Sequence, residues 1–269
     1  MRLLIAVFLF SALLASADPQ RQSFESGPGR VALVELYTSE GCSSCPPAER
    51  WLGALRNDQR LWREFVPMAF HVNYWDRLGW KDRLSSPAFT QREYAYSAEW
   101  GSSSVYTPCF VLNGTEWHAD PAALSVHRSE DAGRLLVELT SGPLPVEVEV
   151  RYAGPGTAAA LGGPHAQRVG GNPLHSLVAH VALLGGGIST QVKAGENSGA
   201  TLTHEFAVLS LGTAAISDGK AWVRLGPPLI GAAPRRALAA WITAEGSARP
   251  IQAVGGWLDD VSVFGGLGS

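Results

Sequence analysis

The sequence runs to 269 residues, is 46% hydrophobic with a mean hydropathy of +0.04, and carries a formal charge of −3. That content excludes a disordered chain, and 21 basic against 24 acidic residues leave no excess of positive charge for phosphates, which argues against nucleic acid and anionic membrane surfaces as partners. The length exceeds one ordinary mixed domain and fits two.

At the start of the chain, Met1-Arg2 is followed by an apolar run from Leu3 to Leu14 and then Ala15-Ser16-Ala17, the pattern of a cleavable secretory signal over residues 1–17. No second apolar run of about 18 residues follows, so no membrane span is expected after cleavage. The expected location is the bacterial periplasm or the medium.

Arg30 to Tyr37 (R-V-A-L-V-E-L-Y) predicts a strand, and Pro46 to Arg56 places Ala48, Trp51, Leu52 and Leu55 at helical spacing. Phe65 to Val72 reads as a second strand, and Ser86-Pro87 opens a helix that runs to Trp100. Cys109 to Leu112 and Thr115 to His118 form a hairpin through Asn113-Gly114. Pro121 to Leu139 is expected as a last helix with Asp120 as its N-cap. This order predicts an α/β domain over residues 18–140.

After Ser141-Gly142-Pro143 the pattern changes. Val146 to Tyr152 alternates apolar and polar residues, and strand-like runs follow at His175 to Leu184, Ile188 to Lys193, Leu202 to Leu209, Ala221 to Leu225, Leu238 to Thr243 and Ile251 to Leu258. These short strands predict an all-β, sandwich-like domain over residues 141–269, with Gly154 to Pro173, rich in Gly, Ala and Pro, as a long loop.

The three cysteines, Cys42, Cys45 and Cys109, all lie in the first segment, and an odd count in a chain long enough for two cores points to chemistry rather than stapling. Cys42-Ser43-Ser44-Cys45 follows the first strand and opens the first helix, where N-terminal N–H groups and the macrodipole stabilise a thiolate. Cys42 is therefore expected to be the more exposed, attacking thiol and Cys45, one turn further in, the resolving thiol. A lone C-x-x-C can be half of a zinc site, but no second C-x-x-C or H-x-x-x-H pair completes four ligands, and no metal is assigned.

Glu35 interrupts the apolar run from Val31 to Tyr37. Buried in a central strand, its carboxyl is expected to have a raised pKa; at a sheet edge it would face solvent. His71, Asn73, Tyr74, Trp75 and Asp76 end the second strand. If the first two strands are parallel neighbours, their carboxyl ends share one sheet edge, and this loop, with Tyr74 and Trp75, forms the groove wall beside Cys42. The alternative is that Trp75 and Trp80 pack a satellite core while Asp76, Lys81 and Asp82 are solvated. Gly195-Glu196-Asn197 and His204 read as a turn and a strand without catalytic role.

A strand, C-x-x-C at a helix start, and Thr107-Pro108 ahead of a hairpin resemble the thioredoxin superfamily. The phrases V-E-L-Y-T-S-E-G-C-S-S-C-P-P-A-E (34–49), H-V-N-Y-W-D-R-L-G-W-K-D (71–82), S-S-P-A-F-T-Q-R (85–92), Y-T-P (106–108) and V-K-A-G-E-N (192–197) resemble an exported thioredoxin-like family, domain of unknown function 1223. The superfamily resemblance implies a thioredoxin-like α/β domain, a cis Thr107-Pro108 packed against the dithiol and shaping the substrate groove, and a buried acid that exchanges a proton with the resolving thiol. Glu35 takes that place, one residue further from Cys42 than in the usual pattern. Cys109 departs from the pattern, which has a polar residue after the proline. Strand alternation turns Cys109 inward with Val111 as an unreactive thiol, the alternative being a third redox thiol.

These features point to an exported thiol–disulfide oxidoreductase that acts on protein or small-molecule disulfides and dithiols through a mixed disulfide, with no metal, nucleotide or flavin cofactor. Two other readings stay open: a soft-metal protein holding Cu(I) on Cys42 and Cys45 with Cys109 or His71, and a non-catalytic interaction module with a static disulfide.

Overall fold

The computed structural model describes residues 21–118, 124, 126, 130–140, 142, 144–155 and 176–259. The signal read at 1–17, the cap at Asp120, the beginning of the helix read from Pro121 and most of the loop read from Gly154 lie outside the described residues.

In chain order the elements are β1 (Arg21–Glu25), β2 (Ala32–Thr38), α1 (Cys45–Ala54), β3 (Phe65–His71), α2 (Pro87–Glu99), β4 (Cys109–Leu112), β5 (Thr115–Glu116), β6 (Arg134–Thr140) and β7 (Val146–Ala153). There follow β8 (Leu177–Gly186), β9 (Ile188–Gln191), β10 (Thr201–His204), β11 (Ala207–Ala215), β12 (Lys220–Leu225), β13 (Arg235–Ala244) and β14 (Pro250–Trp257). They form an eight-stranded sheet in the order β14-β13-β8-β11-β3-β2-β4-β5, a four-stranded sheet β1-β6-β7-β12, and a hairpin of β9 and β10.

β2 is buried at all seven positions, as its apolar run requires of a central strand. It pairs parallel with β3, from Ala32 opposite Phe65 to Thr38 opposite His71, and antiparallel with β4. Ser86 caps α2, its hydroxyl accepting from Ala88 N–H at 3.3 Å. The β4–β5 hairpin turns through Asn113 and Gly114 at φ of 51° and 80°, the left-handed pair that a tight hairpin demands.

Alternation distributes the core. Ala32, Val34 and Leu36 pack with Leu52 of α1 on one face, while Leu33 and Tyr37 pack with Phe89 and Tyr96 of α2 on the other. In β8, Val181 and Leu183 meet Val137, Val148 and Val223 of the four-stranded sheet, whereas Ala182 and Leu184 join the α2 side. Ala207 lies opposite Ala69, so α1 and the four-stranded sheet cover the same face of the large sheet, and α2 covers the reverse.

Two expectations are corrected. Arg134–Thr140, read as the end of a helix, is strand β6: Leu135, Val137 and Leu139 are buried, with less buried residues between them, and β1 and β7 pair on its two sides. The apolar residues of this stretch fit period two once two neighbours supply the backbone hydrogen bonds. The single strand read at Leu202 to Leu209 is broken at Glu205-Phe206, where Phe206 takes φ 56° and the chain passes from β10 into β11 of a different sheet.

The segments on either side of residue 140 are also interleaved. β6 and β7 are neighbours in one sheet, and β11 joins β3 in the other. Leu33, Met68 and Phe70 share a core cluster with Leu184, Ala239 and Trp241. A fragment ending at residue 140 loses that cover. With about 1.5–3 kcal/mol at stake for each large apolar side chain, the loss approaches the whole stability of a domain, about 5–15 kcal/mol. The fragment 18–140 is expected to lack native secondary structure by circular dichroism and to expose amides to rapid hydrogen exchange; a cooperative unfolding transition would contradict the shared core.

Candidate active site

The strands β2 and β3 end at one edge, and the loop that leaves β2 carries Cys42 into the start of α1. Cys42 N–H donates to Ser39 O and Cys45 N–H to Cys42 O, both at 3.2 Å, closing tight turns around the pair. Cys42 and Cys45 are joined as a disulfide with their Cα atoms 5.4 Å apart. Cys45 is the first residue of α1 and Ser44 its N-cap, while Pro46 and Pro47 remove N–H groups that the first turn would leave orphaned.

The expected exposure of Cys42 is not found: both cysteines are fully buried, and only Ser43 and Ser44 between them face solvent. The tip of the β9–β10 hairpin is bonded to this loop. Asn197 Nδ2 donates to the carbonyls of Glu40 and Cys42, each at 2.9 Å. Glu196 accepts from Ser43 N–H at 3.0 Å and from its hydroxyl at 2.8 Å, bonds that hold this carboxyl below its usual pKa. These residues, read from sequence as a plain turn, are therefore part of the site.

On the other side, Thr107-Pro108 is cis, and Cys42 Sγ lies 3.8 Å from the Thr107 carbonyl and 3.3 Å from Ser44 Oγ. Trp75 Nε1 donates to Thr107 Oγ1 at 2.7 Å, and Gly41 admits Trp75 so closely that a Cβ there would stand 3.1 Å from that of Trp75. The structure thus brings Thr107 and Trp75 to the dithiol loop. Tyr74 packs with the α2-side cluster that holds Tyr96 and Cys109.

Glu35 is not beneath Cys45. It alternates with Val34 and Leu36, so it points to the α2 face. There it is fully buried, receives Arg92 Nε at 2.7 Å and Nη2 at 3.0 Å, and accepts from the hydroxyls of Tyr37 and Tyr96. Arg92 lies over the rings of Phe70, Tyr96 and Trp241, which supply a π face to the desolvated guanidinium. The carboxylate is committed to this structural ion pair, so the structure does not support the proton-transfer role expected for it. Cys109, opposite Tyr37 in register, lies on the same α2 face, whereas His71 lies opposite Thr38 on the α1 face. Cys109 and His71 are therefore on opposite sides of the sheet.

Beneath the dithiol loop, a second set of polar side chains converges on the α1 face. His71 Nδ1 meets Asp82 at 2.7 Å, and His204, from the end of β10, lies between Glu49 through Nδ1 and Glu40 through Nε2 at 3.1 Å. Thr38 donates to Glu49 at 2.7 Å, Trp80 Nε1 to Glu40 at 2.7 Å, and the two imidazoles meet edge to face at 4.9 Å. Every member of this network apart from Trp80 is buried, Asp82 included, so its sequence reading as a solvated residue is corrected.

Burial disfavours charge on His204, but Glu49 and Glu40 outweigh it and raise its pKa to about 10. His71 is likewise raised against burial by Asp82. Glu49 and Asp82 are pushed up by burial yet held below the usual carboxylate range, chiefly by His204 and His71 respectively. The sequence signal was present in part: ionisable residues sit inside or beside apolar strands at Glu40, His71 and His204, but nothing local shows that they meet.

The family described as Protein of unknown function (DUF1223) matches residues 33–243. The chain belongs to that family. The match takes in both the C-x-x-C loop and the β9–β10 hairpin that is bonded to it. A crystal structure of protein AGR_C_4864 from Agrobacterium tumefaciens is similar over 89% of this chain and 97% of that one, at 23% identity and a TM-score of 0.52. HBP35 of Porphyromonas gingivalis is similar over 87% of this chain and 77% of that one, at 16% identity and a TM-score of 0.54. At these identities the likeness concerns the fold. No curated protein matches the chain.

In this DUF1223 chain Cys109 is a buried free thiol whose pKa is pushed up to about 12, first by burial and then by the nearby Glu93 carboxylate. It is protonated at neutral pH and a poor nucleophile. Thiol counting on the oxidised protein is expected to show no rapid labelling under native conditions and one thiol per chain in denaturant; a Cys42–Cys109 disulfide in peptide maps would overturn this.

Glu93 of α2, also buried, accepts from Tyr106 N–H at 3.2 Å, and burial raises its pKa to about 8. The folded state therefore keeps a proton that the unfolded chain releases near 4.5, so this group makes stability fall as pH rises between those values and level off above the upper one. At roughly 1.4 kcal/mol per pKa unit the change is about 5 kcal/mol at most. Glu93→Gln retains the acceptor for Tyr106, and denaturant titrations from pH 5 to 8 are expected to show a flatter profile for the variant.

Proposed function

We propose that the chain is a thiol–disulfide oxidoreductase acting through Cys42 and Cys45. The observation that carries the reading is a disulfide closed across the start of a helix, with Cys42 Sγ between the Ser44 hydroxyl and the backbone just before a cis proline. Ser44 Oγ–H is placed to donate to a Cys42 thiolate, which favours the charged form of that sulfur. The parallel β2–β3 pair, the antiparallel β4–β5 hairpin and the C-x-x-C between β2 and α1 support a thioredoxin-like arrangement for this part of the sheet. An export signal over 1–17 would put the dithiol in the periplasm or outside the cell, where disulfide exchange is at home.

In the reducing direction the Cys42 thiolate attacks one sulfur of a substrate disulfide, the substrate S–S bond breaks, and its other sulfur leaves as a thiolate. The Cys45 thiolate then attacks Cys42 Sγ of the mixed disulfide, expelling the second substrate thiolate and closing Cys42–Cys45. The oxidising direction is the reverse, and the reduction potential of the pair decides between them. Both cysteines are buried, so substrate entry requires local opening around the loop that Asn197 and Glu196 hold.

Reduced Cys45→Ser, which keeps Cys42, is expected to be alkylated at pH 7 at least ~tenfold faster than Cys42→Ser at Cys45. Both variants are expected to lose turnover of a model disulfide. Faster reaction at Cys45, or turnover retained in Cys42→Ser, would overturn the assignment.

A further inference from the structure

We propose that His71, His204 and Glu49 form a binding site for one divalent first-row transition-metal ion beneath the dithiol. These residues come from β3, β10 and α1, and one ligand atom from each lies within 4.8 Å of the others. Two imidazoles and a carboxylate are the donor set of three-ligand zinc sites, which leave one further coordination position. Bonds of about 2.0–2.2 Å at tetrahedral angles place ligand atoms roughly 3.3–3.6 Å apart, so closure on an ion draws together atoms that stand up to 4.8 Å apart and parts the hydrogen-bonded His204 Nδ1 and Glu49 Oε2.

One observation favours a ligand here over a hydrogen-bonded polar core. His71 is fully buried, yet its Nε2 has no hydrogen-bond partner, although buried imidazole nitrogens are ordinarily satisfied. His71 Nδ1 is oriented by Asp82, His204 Nε2 by Glu40 and Glu49 Oε1 by the Thr38 hydroxyl, while His204 Nδ1 and Glu49 share a hydrogen bond whose proton the ion would replace. Carboxylates on the distal nitrogens of ligating histidines set the ring orientation and raise ligand basicity. Three carboxylates, Glu40, Glu49 and Asp82, converge on two imidazoles, and binding of an ion would release the ring protons it replaces.

No cysteine is required, which separates this site from thiol exchange and from Cu(I) held by thiolates. Its position gives the ion a structural consequence: it would tie the β9–β10 hairpin, which is bonded to the dithiol loop, to α1 and β3, which carry it.

The test uses the full chain, stripped with chelator and titrated with Co2+ as a spectroscopic probe and then with Zn2+. One Co2+ per chain is expected, with visible ligand-field bands that one equivalent of Zn2+ abolishes. His71→Gln, folded by circular dichroism, is expected to bind at least ~100-fold more weakly, whereas the double variant Cys42→Ser, Cys45→Ser is expected to retain stoichiometric uptake. Failure of the wild type to bind, uptake unchanged in His71→Gln, or uptake abolished in the double serine variant would each overturn the proposal. Should His71→Gln fail to fold, X-ray absorption of the wild-type Zn2+ complex decides: scattering from two imidazoles without sulfur supports the site, and sulfur in the coordination shell refutes it.

Discussion

Ala69 N–H donates to the Phe206 carbonyl at 2.9 Å, and at that bond the two halves of the eight-stranded sheet meet. The junction places β8, β11, β13 and β14 beside β3, so Trp241 and Leu184 complete the core begun by Leu33 and Phe70. It also requires the ribbon of β8–β9 and β10–β11, whose register continues from Ala207 opposite Gly185 to His204 opposite Ile188, to bend just before β11. Phe206 does this at φ 56°, a left-handed conformation that costs a residue with a large side chain on the order of 1–3 kcal/mol. The bend is held on both sides. Glu205 binds Arg235 at 2.6 Å and approaches Arg56, while the Phe206 ring packs on Trp62 and Trp257. The bend sets His204 against His71 and the β9–β10 hairpin against the C-x-x-C loop.

Because β2 is covered on both faces, each polar residue in or beside it must find a buried partner. On the α2 face Glu35 is matched by one bidentate guanidinium, two phenols and the aromatic rings around Arg92. On the α1 face Thr38, Glu40, Glu49, Asp82 and the two histidines form a connected set. Removing one partner of such a pair leaves an uncompensated charge and costs about 3–5 kcal/mol. The Cys42–Cys45 loop lies at the edge where this cluster ends, between the Thr107 carbonyl and the side chain of Asn197.

Local pattern was enough for the elements that depend on nearest neighbours in the chain. Val34 to Tyr37 as a strand, Pro46 to Ala54 as a helix, Ser86 as a cap and Asn113-Gly114 as a tight turn follow from periodicity, capping and φ preference, and so does the inward direction of Cys109 next to a proline. The spacing of Cys42 and Cys45 likewise determines that the two sulfurs can meet across the first turn of α1. The tertiary structure decided what no local pattern carries. Arg134–Thr140 became a strand because β1 and β7 offered it hydrogen bonds on both sides, and the Cys42 loop is held by a hairpin from far along the sequence. Glu35 was directed away from the thiols by the identity of the strand face that α2 covers. His204 and Glu196 gained their partners through the bend at Phe206, more than 150 residues from Glu40 and Ser43. Sequence spacing specifies which face of its own element a side chain occupies, whereas the partner on that face is set by long-range pairing, whose entropy of closure only the complete sheet offsets.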